Sequence, residues 1–220
     1  MALKYVLFDL DGTLTDSMLG ITNCAIYALE KFDIHPSSRE ELLPYIGPPL
    51  IESFTRFHGL SAEQAVQAVA YYRERFSVVG WKENAVYNGI KTLLQELQQL
   101  GLCLIVATSK PEEFTHRILE HFDLKKYFAF VSGSTFDGLR SEKADVIAHV
   151  RTTHPDISKE NAVMVGDRKH DVIGAHSQNL SAIGVLYGYG DRAEMEAVGA
   201  DFIAADMAEL RQLLLTMVNS

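Results

Sequence analysis

The chain opens on an apolar run. Residues 4–10 are rich in strand formers and stop at Asp11-Gly12, a turn pair. A short apolar run bounded in this way predicts a fully buried strand. Similar runs follow at 102–107 (stopped by Thr108), 128–131, 162–165 and 181–186, with a short sixth at 201–204. Between them the apolar positions change period. Ile90, Leu93, Leu94, Leu97 and Leu100 fall at helical spacing, with Gly101 as the stop. Pro111 opens a helix at its first turn that carries Phe114, Ile118 and Leu119. Ser141 with Glu142 starts another, followed by Val146, Ile147 and Val150, and residues 206–217 close the chain. Strands alternating with helices predict an α/β fold, a Rossmann-like parallel sheet with right-handed crossovers.

One interval breaks the alternation. Residues 17–83 contain no convincing strand and read as helices at 17–32, 39–45, 49–58 and 62–79. An insertion of that length is too long for a loop and predicts a lid-like α-helical bundle. The expected domains are an α/β core of residues 1–16 and 84–220 and a helical cap domain of residues 17–83.

Composition narrows the function. The 220 residues are 47% hydrophobic and 22% charged, which is ordinary globular composition and excludes disorder and coiled coil. Twenty basic against twenty-nine acidic residues give a net charge of −9. That argues against a nucleic-acid polymer or an anionic membrane as partner. An anionic ligand would need a local reversal of the field, most simply by a bound cation. No run reaches the roughly 18 apolar residues that span a bilayer, and the first residues read as a strand rather than a signal peptide. Cys24 and Cys103 sit in apolar runs, as small buried hydrophobes do. A cytoplasmic protein is expected, as a monomer or a weak homodimer.

The candidate chemistry lies where strands end. Asp9 and Asp11 close the first strand and Gly12 follows, at the sheet edge where open α/β sheets bind ligands. An Asp-Gly turn with no further role explains the same residues equally well. Asp167 ends the fourth strand after Gly166, and Asp171 follows four residues later, one helical turn on. Paired carboxylates there suit a hard cation with oxygen ligands, most simply Mg²⁺. The structural alternative is helix capping by Asp167, stabilising by about 1 kcal/mol, which leaves Asp171 unexplained. Thr108 and Ser109 end the second strand before a helix, where hydroxyls and backbone N–H groups cradle an anion; an ordinary N-cap is the simpler reading. Lys143 is indistinguishable locally from Lys110, Lys125 or Lys126.

Taken in order along the chain, these residues resemble the motifs of the haloacid dehalogenase-like hydrolases, in their phosphatase branch. Asp9-Leu10-Asp11-Gly12-Thr13 is similar to the first motif, Thr108 to the second, Lys143 to the third and Gly166-Asp167 with Asp171 to the fourth. The inserted helices resemble the first cap type of that family. The 46–50 turn, Ile-Gly-Pro-Pro-Leu, resembles its 5′-nucleotidase-like and phosphoglycolate-phosphatase-like members, and helix punctuation explains it equally well. The resemblance implies strand order 5-4-1-2-3 and a set of roles. Asp9 is then the nucleophile, and Asp11 the acid and base. Thr108, Ser109, Gly12 and Lys143 bind phosphoryl oxygens. Mg²⁺ sits on Asp9, the Asp11 backbone carbonyl, Asp167 and Asp171, the last directly or through water. The implied activity is hydrolysis of a small phosphorylated metabolite: a nucleoside 5′-monophosphate first, phosphoglycolate next, then small sugar phosphates. A sugar phosphomutase and a receiver-like phosphoacceptor module are the alternatives. Arg168, Lys169 and His170 could meet a substrate anion, and Arg56, Arg73 and Arg75 a second anionic group on it; a solvated loop is the simpler reading of the first three, and most of the arginines read as solvent-facing. Tyr71, Tyr72, Phe54 and Phe57 read as core packing rather than a base-stacking box.

Overall fold

The computed structural model describes residues 3–219. In chain order its main elements are β1 (Tyr5–Phe8), α1 (Met18–Glu30), α2 (Leu50–His58), α3 (Ala62–Val78), α4 (Ile90–Gln99), β2 (Cys103–Pro111), α5 (Glu112–His121), β3 (Phe130–Ser134), α6 (Lys143–Thr153), β4 (Ala162–Gly166), α7 (Lys169–Ser177), β5 (Ser181–Val185), α8 (Arg192–Ala197), β6 (Phe202–Ala204) and α9 (Met207–Val218). The strands form one parallel sheet in the order β3-β2-β1-β4-β5-β6. This is the order 5-4-1-2-3 read in reverse, with a sixth strand added outside β5. The short strands Thr15–Asp16 and Ala85–Val86 pair with each other.

β1 lies inside the sheet, and all four of its residues are buried. That is why it is apolar at successive positions rather than alternate ones. Tyr5 and Leu7 share a core cluster with Ile105, Val146, Ile147, Met164 and Val172. Val146, Ile147 and Val172 come from α6 and α7, so those two helices cover this face of the sheet.

The chain divides into two compact units, Met1–Thr15 with Val86–Ser220, and Asp16–Ala85. The second is built from α1, α2, α3 and a 3-10 helix at Glu40–Tyr45. Ser61 starts α3 with a capping box, accepting from Gln64 N–H while the Gln64 side chain accepts from Ser61 N–H. Leu29, Leu42, Phe54, Tyr72 and Phe76 are buried within this unit, while Phe57 is exposed. Arg75 is half-buried and paired with Glu83 at 2.7 Å, so it is no solvated group. Arg56 reaches Glu52 one turn away on an exposed face.

Several boundaries differ from the sequence expectation. β2 runs through Thr108 to Pro111, because β3 extends alongside it and pairs Ser134 with Pro111 after a register shift. Pro111 precedes α5 in extended backbone, at φ −53° and ψ 131°, rather than occupying its first turn. β3 starts at Phe130, two residues late, since a 3-10 helix takes Lys125–Tyr127. It runs on to Ser134 through small residues, and Ser132 Oγ donates to the Val146 carbonyl at 2.9 Å. The cap of α7 is Arg168, not Asp167, and it is Asp171 that accepts from the Arg168 N–H at 3.0 Å.

Candidate active site

Every candidate residue lies in the α/β unit; Asp9, Asp11, Gly12, Lys143, Asp167 and Asp171 follow the carboxyl ends of strands, while Thr108 and Ser109 lie within β2 toward its carboxyl end. Asp9 directly follows β1 and is held beside β4 by its N–H, which donates to the Val165 carbonyl at 2.9 Å. The chain then folds back on itself. Leu14 and Thr15 N–H both donate to the Leu10 carbonyl at 2.9 Å, and Gly12 N–H to the Thr15 carbonyl at 2.7 Å. This turn needs φ +85° at Gly12, a left-handed conformation natural to glycine. A Cβ there would lie 2.1 Å from Asp167 Oδ2. Gly12 is therefore required twice, by the turn and by the approach of the Asp167 carboxylate.

Asp9, Asp167 and Asp171 converge. One oxygen from each lies within 4.8 Å of the others, and all three residues are buried. Asp9 and Asp171 share Lys143, whose Nζ stands 2.7 Å from Asp9 Oδ1 and 2.8 Å from Asp171 Oδ1. Nζ also donates to the Ala107 carbonyl at 3.0 Å. Burial opposes the charge on Lys143, but Asp171 and Asp9 outweigh it and hold the ammonium above the usual lysine range. Lys143 is the first residue of α6, and the loop after β3 delivers it. Nothing in its local sequence announced this.

Asp167 carries the electrostatic strain of the group. Burial, then the charges of Asp171 and Asp9, push its carboxyl well above the usual carboxylate range, against the Tyr189 N–H and Arg168. Tyr189 N–H reaches Asp167 Oδ2 at 2.8 Å, and Thr13 Oγ1 donates to Oδ1 at 3.4 Å. Three buried carboxylates facing one point, one of them strongly disfavouring its charge, fit a small hard cation with oxygen ligands.

The remaining candidates surround this group. Thr108 is buried, and its Oγ1 accepts from Lys110 N–H at 3.3 Å; Ser109 beside it is half-buried. The Asp11 carboxylate stands outside the convergent three. Its Oδ2 meets Lys110 Nζ at 2.6 Å, with only 6% of the lysine side chain and 13% of the aspartate side chain exposed. The Arg168 side chain binds Glu194 at 3.0 Å and is half-buried, so it is not a solvated group.

Two features escaped the sequence reading. Lys110 is one. The other is the 186–191 loop after β5, which supplies Tyr189 N–H and brings the Tyr187 hydroxyl to the Thr13 carbonyl at 3.0 Å. A Cβ at Gly188 would lie 2.3 Å from the Gly12 carbonyl oxygen, so glycine lets this loop close on the first motif. The readable signal was its position, directly after an apolar strand with alternating glycines.

The family model of haloacid dehalogenase-like hydrolases matches residues 6–185. The chain belongs to the haloacid dehalogenase-like hydrolases. A 5′-nucleotidase of Pseudomonas aeruginosa is 42% identical to this hydrolase over 215 residues, 97% of either chain. The tyrosine-protein kinase PtkA of Mycobacterium tuberculosis is 38% identical over 96% of this chain and 72% of its own. A phosphoglycolate phosphatase of Vibrio cholerae is 30% identical over 97% of this chain and 98% of its own. The crystal structure of a predicted phosphatase from Clostridium acetobutylicum superimposes with a TM-score of 0.95 at 45% identity. It covers 98% of this hydrolase and 100% of that chain. Among the described residues, no helix is long and apolar enough to cross a membrane.

Proposed function

We propose that this phosphoric monoester hydrolase acts on small phosphorylated metabolites through an aspartyl-phosphate intermediate at Asp9. A nucleoside 5′-monophosphate is the first expected substrate, and phosphoglycolate the second. The observation that carries this reading is the convergence of Asp9, Asp167 and Asp171 around one point, with Lys143 bridging two of them. The similarity to a 5′-nucleotidase over nearly the whole chain supports the substrate order.

In this reading an Asp9 oxygen attacks phosphorus while the bond to the alcohol oxygen breaks. Asp11 gives its proton to the departing oxygen, then takes one from the water that attacks the phosphoenzyme. The products are the alcohol and inorganic phosphate. Lys143 orients Asp9 and offers positive charge to the phosphoryl group. Thr108, Ser109 and the N–H groups after Gly12 bind phosphoryl oxygens. Asp9, the Asp11 carbonyl, Asp167 and Asp171 would hold Mg²⁺, which when bound supplies charge stabilisation to the phosphoryl oxygens. The helical unit, inserted in the chain just after the first motif, is the proposed selector of the rest of the substrate.

A phosphate-release screen tests this reading, run with chelator and then with Mg²⁺ restored. Nucleoside monophosphates, phosphoglycolate and sugar phosphates are compared. The expected result is Mg²⁺-dependent release of inorganic phosphate, abolished in Asp9→Asn. Full turnover in excess chelator, or near-normal rates in Asp9→Asn, removes the mechanism. An isomerised sugar phosphate in place of free phosphate makes the chain a mutase.

A further inference from the structure

We propose that Lys110 is a positioning residue that orients Asp11 for proton transfer; the assignment rests on the acid–base role proposed above for Asp11. The backbone of Lys110 is set by its place near the end of β2. Its N–H donates to Thr108 Oγ1 at 3.3 Å, and just beyond it the Thr115 hydroxyl of α5 donates to the Pro111 carbonyl at 3.1 Å, with the Lys110 carbonyl at 3.5 Å. From that fixed base Nζ reaches Asp11 Oδ2 at 2.6 Å, and both side chains are largely buried. The other oxygen, Asp11 Oδ1, is buried and has no hydrogen-bond partner among the described residues. The two oxygens are thus unequal. Lys110 holds Oδ2, and Oδ1 is the oxygen left to exchange a proton with the ester oxygen and then with water.

The two buried lysines of the site serve different carboxylates. Lys143 serves Asp9 and Asp171, and Lys110 serves Asp11. A charge-balancing pair alone would not need this rigidity. A proton donor does, because it must lie within hydrogen-bond reach of one particular atom in the transition state. When the P–O bond to the alcohol breaks and the Asp9 O–P bond forms, the electron pair stays on the departing oxygen. The Asp11 proton follows it there. A carboxyl free to rotate would miss that atom for much of the time.

The leaving group provides the test. An alkyl phosphate expels a poor leaving group that needs the proton; a nitrophenyl phosphate expels a stable phenolate that does not. Values of kcat/KM, which cover events up to departure of the leaving group, are measured with Mg²⁺ for both esters in wild type, Lys110→Met and Asp11→Asn. Lys110→Met is expected to lose about 100-fold on the alkyl ester, as for a catalytic group misplaced by about 1 Å, and little on the nitrophenyl ester. Equal losses on both esters assign Lys110 a structural role and overturn the proposal, as does wild-type behaviour on both. Where Asp11→Asn discriminates between the esters and Lys110→Met does not, the positioning role fails while the acid–base reading survives. Where Asp11→Asn itself does not discriminate, that reading fails. Should Lys110→Met not fold, Lys110→Arg keeps the charge, moves the head group and gives the same comparison.

Discussion

Gly12→Ala separates backbone strain from damage to the carboxylate group. Gly12 has φ +85°, and a Cβ there would stand 2.1 Å from Asp167 Oδ2, 2.4 Å from Cγ and 2.7 Å from Oδ1. An ordinary carbon–oxygen contact is more than 1 Å longer than the first of these. The Asp167 carboxylate therefore has to move by about 1 Å, a displacement that costs about 100-fold in catalysis. It cannot retreat freely, because Tyr189 N–H holds Oδ2 at 2.8 Å. The left-handed backbone adds about 1–2 kcal/mol for alanine, a fall of about 2–8 °C in Tm for a chain of this size. Gly101→Ala is the control. Gly101 has φ +83° but nothing within 4 Å of its would-be Cβ. Both variants are assayed by thermal melts, by Mn²⁺ titration and by phosphate release. Similar Tm losses are expected, with metal affinity and turnover lost only in Gly12→Ala. Equal turnover in the two variants would refute the steric argument, and so would wild-type Mn²⁺ affinity in Gly12→Ala.

Two further outcomes are expected. Lys143→Met leaves Asp9 and Asp171 buried without their shared cation, which costs about 3–5 kcal/mol when one partner of a buried pair is removed. Urea unfolding without metal measures it, and a loss below about 1 kcal/mol, the range of surface pairs, counts against the shared clamp. The second concerns acid stability. Burial lowers His58 below the usual histidine range against Glu41, and burial with Arg140 lowers His149 against Glu112. The unfolded chain then binds protons more readily, so this contribution is complete above about pH 6.5 and is lost as the pH falls below it. Unfolding free energies of wild type and His58→Gln/His149→Gln are compared at about pH 7.5 and 5.5 with Mg²⁺ present. Wild type is expected to lose more between the two, and an equal loss excludes these histidines.

Much of the site was legible because strands and strand ends are local events. Residues 5–8 and 162–165 are apolar throughout since β1 and β4 are buried on both faces, and a chain leaving such a strand must place its next polar residues at the sheet edge. Asp9, Asp11 and Asp167 therefore stood out. Lys143 and Lys110 did not, because a lysine acquires its role only from what it meets. Lys143 lies 134 residues from Asp9, and Lys110 lies 99 from Asp11. Asp167 and Asp171 both join the carboxylate group, and it is Asp171 rather than Asp167 that also accepts from the Arg168 N–H at the start of α7. The amino-acid sequence by itself determined the alternation of strands and helices, the inserted helical segment and the acids at the strand ends, since periodicity and turn chemistry act over a few residues. Only the tertiary structure decided which cation each carboxylate meets. That depends on strands adjacent in the sheet but distant in the chain, and on burial that makes such pairings strong.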